Sequence, residues 1–163
     1  MSLSAKIREQ LISGFRIELA EHLQTMNNGL LALEQNRAAG EQRRTTLEDV
    51  FRAAHSLKGA ARAIGVTAVE QLAHALEDVL AAMQHDAVEL TPALFTACYR
   101  ACDAIQAVQA SYEAGETTPP AQALQALADL DTFRPRSKTP LLAKVEDAVR
   151  ASRVAAPQAS ISA

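Results

Sequence analysis

The chain has 163 residues, of which 48% are hydrophobic and only 4% aromatic, and its formal net charge is −3. This length favours one domain with a sizeable core, and the hydrophobicity comes mainly from Ala and Leu, which are strong helix formers. The charge gives no overall basic field for nucleic acid or an anionic membrane, and no apolar stretch approaches the ~20 residues of a membrane span. We therefore expect an all-α cytoplasmic protein with neither nucleic acid nor membrane among its partners.

Apolar residues recur at steps of three and four from Ser4 to about Asn36, which predicts one long amphipathic helix. The stripe contains Ile7, Leu11, Phe15, Leu19, Leu23, Met26, Leu30 and Leu33. Asn27, Asn28 and Gly29 together lower the helix propensity by about 2 kcal/mol relative to alanine. Because the stripe continues in phase through them, we expect packing to keep the helix whole.

A second helix is predicted to begin near Thr46, after a loop over 38–45, with Thr45 or Thr46 as its cap. Its apolar stripe comprises Leu47, Val50, Ala54, Leu57, Ala61 and Ile64. Gly65 should end the helix, because glycine adopts the positive φ of a helix C-terminus without strain.

Three further helices are predicted. The third runs from about 67 to 85, and its inward side chains are Val69, Leu72, Leu76, Val79, Leu80 and Met83. The fourth is capped by Thr91, has Pro92 in its first turn and stops at Gly115. Its apolar face comprises Leu94, Cys98, Ala101, Ile105, Val108 and Tyr112. A short fifth helix should span about 120–130.

Four long amphipathic helices joined by short loops pack most simply as an antiparallel up-down four-helix bundle, with the short fifth helix added at its C-terminal end. Cys98 and Cys102 lie four residues apart in the fourth helix, so we expect two buried free thiols rather than a disulfide. We assign residues 1–133 to the bundle. Residues 134–163 are proline-broken and of low complexity, and we assign them to a linker or tail that could contain a short helix near 140–150.

One histidine stands on the solvent side of the second helix, in the segment AAHSLKGAARAIG. At ~100° per residue, His55 lies ~200° from the buried Leu57, and the same face carries Phe51, Lys58, Gly59 and Arg62. A helix-interior glycine costs about 1 kcal/mol against alanine, so Gly59 indicates that another macromolecule approaches closely beside His55. Lys58 would supply positive charge next to an anion on the imidazole. These features fit a histidine that carries a phosphoryl group.

Two motifs, HSLKGAARAIG and QLAHALEDVL, resemble histidine-containing phosphotransfer (HPt) domains, particularly the N-terminal domain of CheA-type chemotaxis kinases. His74 and Glu77 follow His55 by 19 and 22 residues, as in that family. The resemblance covers about 3–130 in helix order and length. It implies that His55 is phosphorylated, that Glu77 accepts a hydrogen bond from Nδ1 of His55, and that His74 and Lys58 join this network.

The resemblance implies a phosphorelay carrier in two-component signal transduction, as the N-terminal part of a CheA-like sensor kinase. An ATP-dependent histidine kinase domain, in cis or in trans, would phosphorylate His55, and a receiver-domain aspartate would take the group. The sequence has no Gly-rich nucleotide loop, so we expect no kinase activity from this chain itself. We also expect no cofactor and no metal, and a domain that is monomeric. Phe51, Gly59 and Arg62 are the predicted partner-binding residues.

Two alternatives remain open. A non-catalytic helical interaction bundle would tolerate His55→Gln without loss of function, whereas a relay would not. A His/Glu metal-binding bundle is disfavoured, because His74 and Glu77 reverse the Glu-x-x-His spacing of dinuclear carboxylate bundles. His22 and His85 have no comparable neighbours and are assigned no role.

Overall fold

A computed structural model describes residues 3–35 and 39–135 of the chain. These residues form α1 (Leu3–Glu34), α2 (Gly40–Ile64), α3 (Thr67–Gln84), α4 (Pro92–Glu113) and α5 (Ala121–Asp131), and this described part contains no strand. The predicted all-α class is confirmed. The predicted short helix near 140–150 lies outside the described residues.

The first four helices pack antiparallel. α1 contacts α2 and α4, α3 contacts α2 and α4, and α5 packs on α3 and α4. Helix ends meet as this arrangement requires: Arg43 near the start of α2 pairs with Asp86 just after α3, at 3.8 Å. Tyr99, early in α4, donates a hydrogen bond to Glu34 at the end of α1, at 3.0 Å. Fully buried side chains form one core, including Met26, Leu30, Leu57, Leu72, Leu76, Leu80, Leu94, Ile105 and Leu130.

Helix ends follow the sequence signals in most places. Gly65 ends α2 with φ at +78°, and the Thr91 hydroxyl accepts a hydrogen bond from the Leu94 backbone N–H at the start of α4. Cys98 and Cys102 are buried free thiols, as predicted. Burial raises the pKa of each thiol to about 12, so both stay protonated and unreactive at neutral pH.

The start of α2 differs from the prediction. The helix begins at Gly40 rather than near Thr46, and neither predicted threonine caps it. The hydroxyls of Thr45 and Thr46 instead donate to the backbone carbonyl oxygens of Glu41 and Gln42, at 3.1 and 2.9 Å. A helical threonine can satisfy its hydroxyl one turn back in this way, so the polar segment continues the helix instead of ending it.

α1 and α2 cross very closely at Gly29. A Cβ added at Gly29 would overlap the side chain of Val50, which is itself buried. The glycine that lowered the predicted helix propensity is therefore what allows the two helices to approach here. The prediction that packing keeps α1 whole is confirmed, and this crossing is part of the packing that does so.

The first turns of α1 were predicted to face the core, and this is wrong. Ile7 and Leu11 are 49% and 57% exposed, although they continue the buried stripe in phase. The two helices are antiparallel and cross where Gly29 meets Val50. Phe15 lies as many residues before Gly29 as Ile64, the last residue of α2, lies after Val50, so Phe15 and Ile64 are opposite each other. The turns before Phe15 extend past the end of α2, so no helix of the described residues covers their apolar side chains.

Candidate functional site

His55 lies in the middle of α2 on its solvent side. Ala54 and Leu57, on either side of it in the sequence, are fully buried, and the His55 side chain is 62% exposed. The helical periodicity of the sequence therefore placed this imidazole correctly. The rigid core beneath α2 fixes its backbone, while its ring remains accessible to another molecule.

Glu77 on α3 reaches across to the imidazole. Nδ1–H of His55 donates to Oε1 of Glu77 at 2.8 Å, and the Lys58 ammonium pairs with the other carboxylate oxygen. The Glu77 side chain is only 13% exposed and that of Lys58 only 24%, so this part of the cluster is shielded from water. Three side chains predicted from the sequence are thus brought together.

Glu77 is held in its charged form. Burial alone would raise the pKa of Glu77, but the hydrogen bonds and positive charge supplied by His55 and Lys58 outweigh it and leave the pKa below its ordinary value. An ionised carboxylate can only accept hydrogen bonds, so Nδ1 of His55 must carry the ring proton. The lone pair of the neutral ring is then on Nε2, which has no hydrogen-bond partner among the described residues.

His74 does not join this cluster. Its Nε2 lies 3.8 Å from Oδ1 of Asp78, one turn further along α3, and its side chain is 47% exposed. Asp78 is itself held by the Arg134 guanidinium, whose Nε donates to Oδ2 at 3.0 Å. The resemblance implied a place for His74 beside His55. The structure pairs it with Asp78, a partner that the sequence analysis did not identify.

The predicted partner-binding residues differ in their surroundings. Gly59 is exposed, and a Cβ added there would meet nothing within 4 Å. Arg62 has a 78% exposed side chain and pairs with Glu70 of α3 at 3.1 Å. Phe51 is half-buried, packs against the core and stacks on the His55 ring. Its spacing of four residues from His55, which makes two side chains neighbours on a helix, was the sequence signal for this contact.

The other histidines stand apart from this cluster. His22 is half-buried on α1, and Nδ1 of His85 contacts the backbone carbonyl oxygen of Ala81 at 2.7 Å, as suits a helix C-terminus. Among residues 3–35 and 39–135, no three His, Cys, Asp or Glu side chains are placed to hold a metal ion together. No helix in the same described ranges is both long and apolar enough to cross a membrane.

The sequence matches the Hpt domain family over residues 10–130. A gliding motility regulatory protein of Myxococcus xanthus is 34% identical over 115 residues, which are 71% of this chain and 14% of that protein. The chemotaxis protein CheA of Bacillus subtilis is 35% identical over 108 residues, which are 66% of this chain and 16% of that protein. The chain thus matches only a small part of these longer relatives.

Two solved structures share the fold. The solution structure of the histidine phosphotransfer domain of CheA has a TM-score of 0.64 and 26% identity, covering 80% of this chain and 96% of that domain. The phosphorylated P1 domain of CheA3 from R. sphaeroides, in complex with CheY6, also has a TM-score of 0.64, at 22% identity, covering 76% of this chain and 94% of that domain. Together with the exposed imidazole on its buried carboxylate, these matches establish that the chain belongs to the Hpt domain family.

Proposed function

We propose that this chain is a phosphorelay carrier of a chemotaxis-type two-component system. His55 accepts a phosphoryl group from an ATP-dependent histidine kinase domain and passes it to an aspartate of a response-regulator receiver domain. The observation that carries the proposal is the contact between Nδ1 of an exposed imidazole and a buried, charged carboxylate, within motifs that match the Hpt family.

The geometry supports attack by Nε2. Its lone pair forms the N–P bond with the γ-phosphorus of ATP, the bond from phosphorus to the bridging oxygen breaks, and ADP leaves. The ring becomes positively charged, and its Nδ1 proton stays in the hydrogen bond to Glu77, whose negative charge stabilises it. In the second step a carboxylate oxygen of the receiver attacks phosphorus, the N–P bond breaks, and the neutral imidazole is restored.

Both partners are proteins that must reach the same ring nitrogen. The CheA3 relative is a P1 domain in complex with CheY6, which supports a receiver domain as one partner. The CheA relatives support a kinase domain as the other, in cis or in trans. The exposed Gly59 and Arg62 lie on the side of α2 that such a partner would cover, beside Phe51. A monomeric state and a cytoplasmic location stay predictions of the sequence.

The test is phosphoryl transfer from labelled ATP. With ATP alone the chain should stay unlabelled, and adding a cognate kinase domain should introduce one phosphoryl group that is labile in acid and stable in base. His55→Gln should abolish labelling, whereas His85→Gln, at a histidine outside the site, should label normally. Full labelling of His55→Gln would contradict the proposed function and favour a helical interaction bundle.

A further inference from the structure

The ring of Phe51 lies beside the imidazole on which the proposed chemistry depends and is nearly parallel to it. The two ring centroids are 6.3 Å apart and the ring planes differ by 22°. This is within the range of offset stacked aromatic pairs, which prefer centroid separations of about 4.5–7 Å. The imidazole therefore has two contacts, a hydrogen bond at Nδ1 and an aromatic ring near one side.

The two contacts restrict different motions. The hydrogen bond from Nδ1 to Glu77 restrains one ring atom, but a single hydrogen bond tolerates a range of angles, so rotations about the side-chain bonds of His55 can still swing the plane of the imidazole. A ring stacked nearly parallel to the imidazole opposes this swing, because turning the plane drives the two rings into each other. Glu77 thus holds the end of the ring, and Phe51 limits its tilt.

Ring tilt matters for the chemistry at Nε2. The nitrogen lone pair lies in the imidazole plane, and displacement at phosphorus needs the attacking and leaving atoms in line. A ring that tilts freely points its lone pair towards phosphorus for only part of the time. A ring fixed in one plane is already oriented when the phosphoryl donor arrives.

Phe51 is half-buried and held on one side by the hydrophobic core. It packs against the hydrophobic core, and it lines a groove of about 720 Å³ at the end of the bundle, together with the buried Leu47 and Met83. Its backbone belongs to the same helix as His55, one turn earlier. An aromatic ring that packs against the core loses freedom to turn away, so it can support the imidazole beside it.

We propose that Phe51 is a positioning residue that fixes the plane of the His55 imidazole for attack by Nε2. This inference rests on the proposed function of His55. It assigns to Phe51 a part in the reaction that does not require a protein partner, in contrast to a residue that only helps a kinase or receiver to dock.

A small phosphoryl donor separates the two roles. Phosphoramidate carries no docking surface: Nε2 forms the bond to phosphorus, the P–N bond of the donor breaks, and ammonia leaves. Phe51→Leu should slow labelling of His55 by phosphoramidate about two- to tenfold, the range expected for losing one aromatic pair. Phe51→Tyr keeps the ring and should restore the rate.

Phe133→Leu is the matched control, because Phe133 is also half-buried against the core but lies just after α5. It should share any loss of melting temperature while labelling at the normal rate. If Phe51→Leu is labelled by phosphoramidate as fast as the unmodified chain, and only kinase-dependent labelling falls, Phe51 is a docking residue and the inference is overturned. If the His55→Gln variant is labelled by phosphoramidate as well as the unmodified chain is, the proposed function itself fails. The two failures are therefore distinguishable.

Discussion

Glu77 joins the chemistry of the site to the stability of the fold at the level of a single residue. Its carboxylate contacts His55 through one oxygen and Lys58 through the other, from a position that is mostly shielded from water. In the proposed reaction, this one charged group sets the proton position on the imidazole and stabilises the positive charge that develops there. Two measurements, one of rate and one of stability, follow from this arrangement.

Glu77→Ala should slow phosphorylation of His55 by the kinase domain about ten- to hundredfold. The reason is that one hydrogen bond to a charged group contributes about 1–3 kcal/mol, and the ring would lose both its fixed tautomer and its counter-charge. Glu113→Ala is the control and should leave the rate unchanged, because its carboxylate lies on α4 and accepts a hydrogen bond from Gln109 rather than from His55 or Lys58. Equal phosphorylation rates for the unmodified chain and Glu77→Ala would show that Glu77 of α3 does not assist the reaction at His55.

The stability that Glu77 contributes should depend on pH. Its pKa in the folded chain is below the ordinary value of 4.5, so folding favours the charged form. This contribution is fully present above the unfolded pKa and is lost as the pH falls through the folded pKa. Glu77→Gln should therefore lower the free energy of unfolding by about 1 kcal/mol at pH 7. Below pH 4.5 the difference should shrink, as urea unfolding at successive pH values would show, and a constant difference down to acid pH would contradict it.

At the scale of the helical elements, two glycines within helices have opposite surroundings. Gly59 in α2 is exposed with free space around its Cα, whereas Gly29 in α1 lies against Val50 at the tightest helix crossing that a glycine makes in the described ranges. Both have the low helix propensity of glycine. Only Gly29 is required by packing, so the absence of a side chain at Gly59 has a different cause, for which we propose the approach of a partner.

Two single variants, Gly59→Ala and Gly29→Ala, should shift the melting temperature of the bundle in opposite directions. Gly59→Ala should stabilise the bundle by up to about 1 kcal/mol, because alanine loses less backbone entropy on folding. Gly29→Ala should destabilise it by about 1–3 kcal/mol, because the added methyl group forces Val50 or the helices apart.

Gly59→Leu then separates stability from function. The domain should keep its melting temperature. A bulky side chain one turn beyond His55 should nevertheless sharply reduce phosphoryl transfer from the kinase domain and to the receiver domain. If Gly59→Leu unfolds the domain, Gly59 is a packing contact and our account of it is wrong.

At the scale of the whole molecule, ion pairs attach α5 to the bundle at two places. Arg134 has a side chain only 14% exposed and bonds to Asp78 of α3 as well as to Asp131 at the end of α5. Arg100 of α4 pairs with Asp129 at 3.1 Å, but its side chain is 62% exposed. The buried pair should contribute more to stability, because water screens the exposed one.

Arg134→Ala should lower the free energy of unfolding by about 1–3 kcal/mol, because it removes the guanidinium that bonds to two half-buried carboxylates, Asp78 and Asp131. Arg100→Ala is the matched control and should cost less than about 1 kcal/mol, as exposed ion pairs do. Thermal and urea unfolding of both variants would measure the difference. Equal losses would show that burial does not decide the strength of these contacts.

The sequence by itself determined most of the helical residues and most of the buried faces, because helical periodicity is a local property. It failed at the start of α2 and in the first turns of α1. It placed His55 on the solvent side of α2, Cys98 and Cys102 in the core, and the end of α2 at Gly65. The family motifs added Glu77 and Lys58 as companions of His55. The first predictions depend on spacing within one segment. Those for Glu77 and Lys58 depend on two segments that together resemble the motifs of one family.

Only the tertiary structure decided what lies opposite each face. Periodicity cannot report where a neighbouring helix ends, so Ile7 and Leu11 continue an apolar stripe that the described residues leave exposed. It cannot report the register of a crossing either, which is why Gly29 looked like a weakness of α1. The four-residue spacing of His74 and Asp78 is visible in the sequence, but the bond from Arg134, far along the chain, to Asp78 is visible only in the tertiary structure. Contacts between distant residues depend on how the helices are aligned in space, and no single segment of the sequence contains that information.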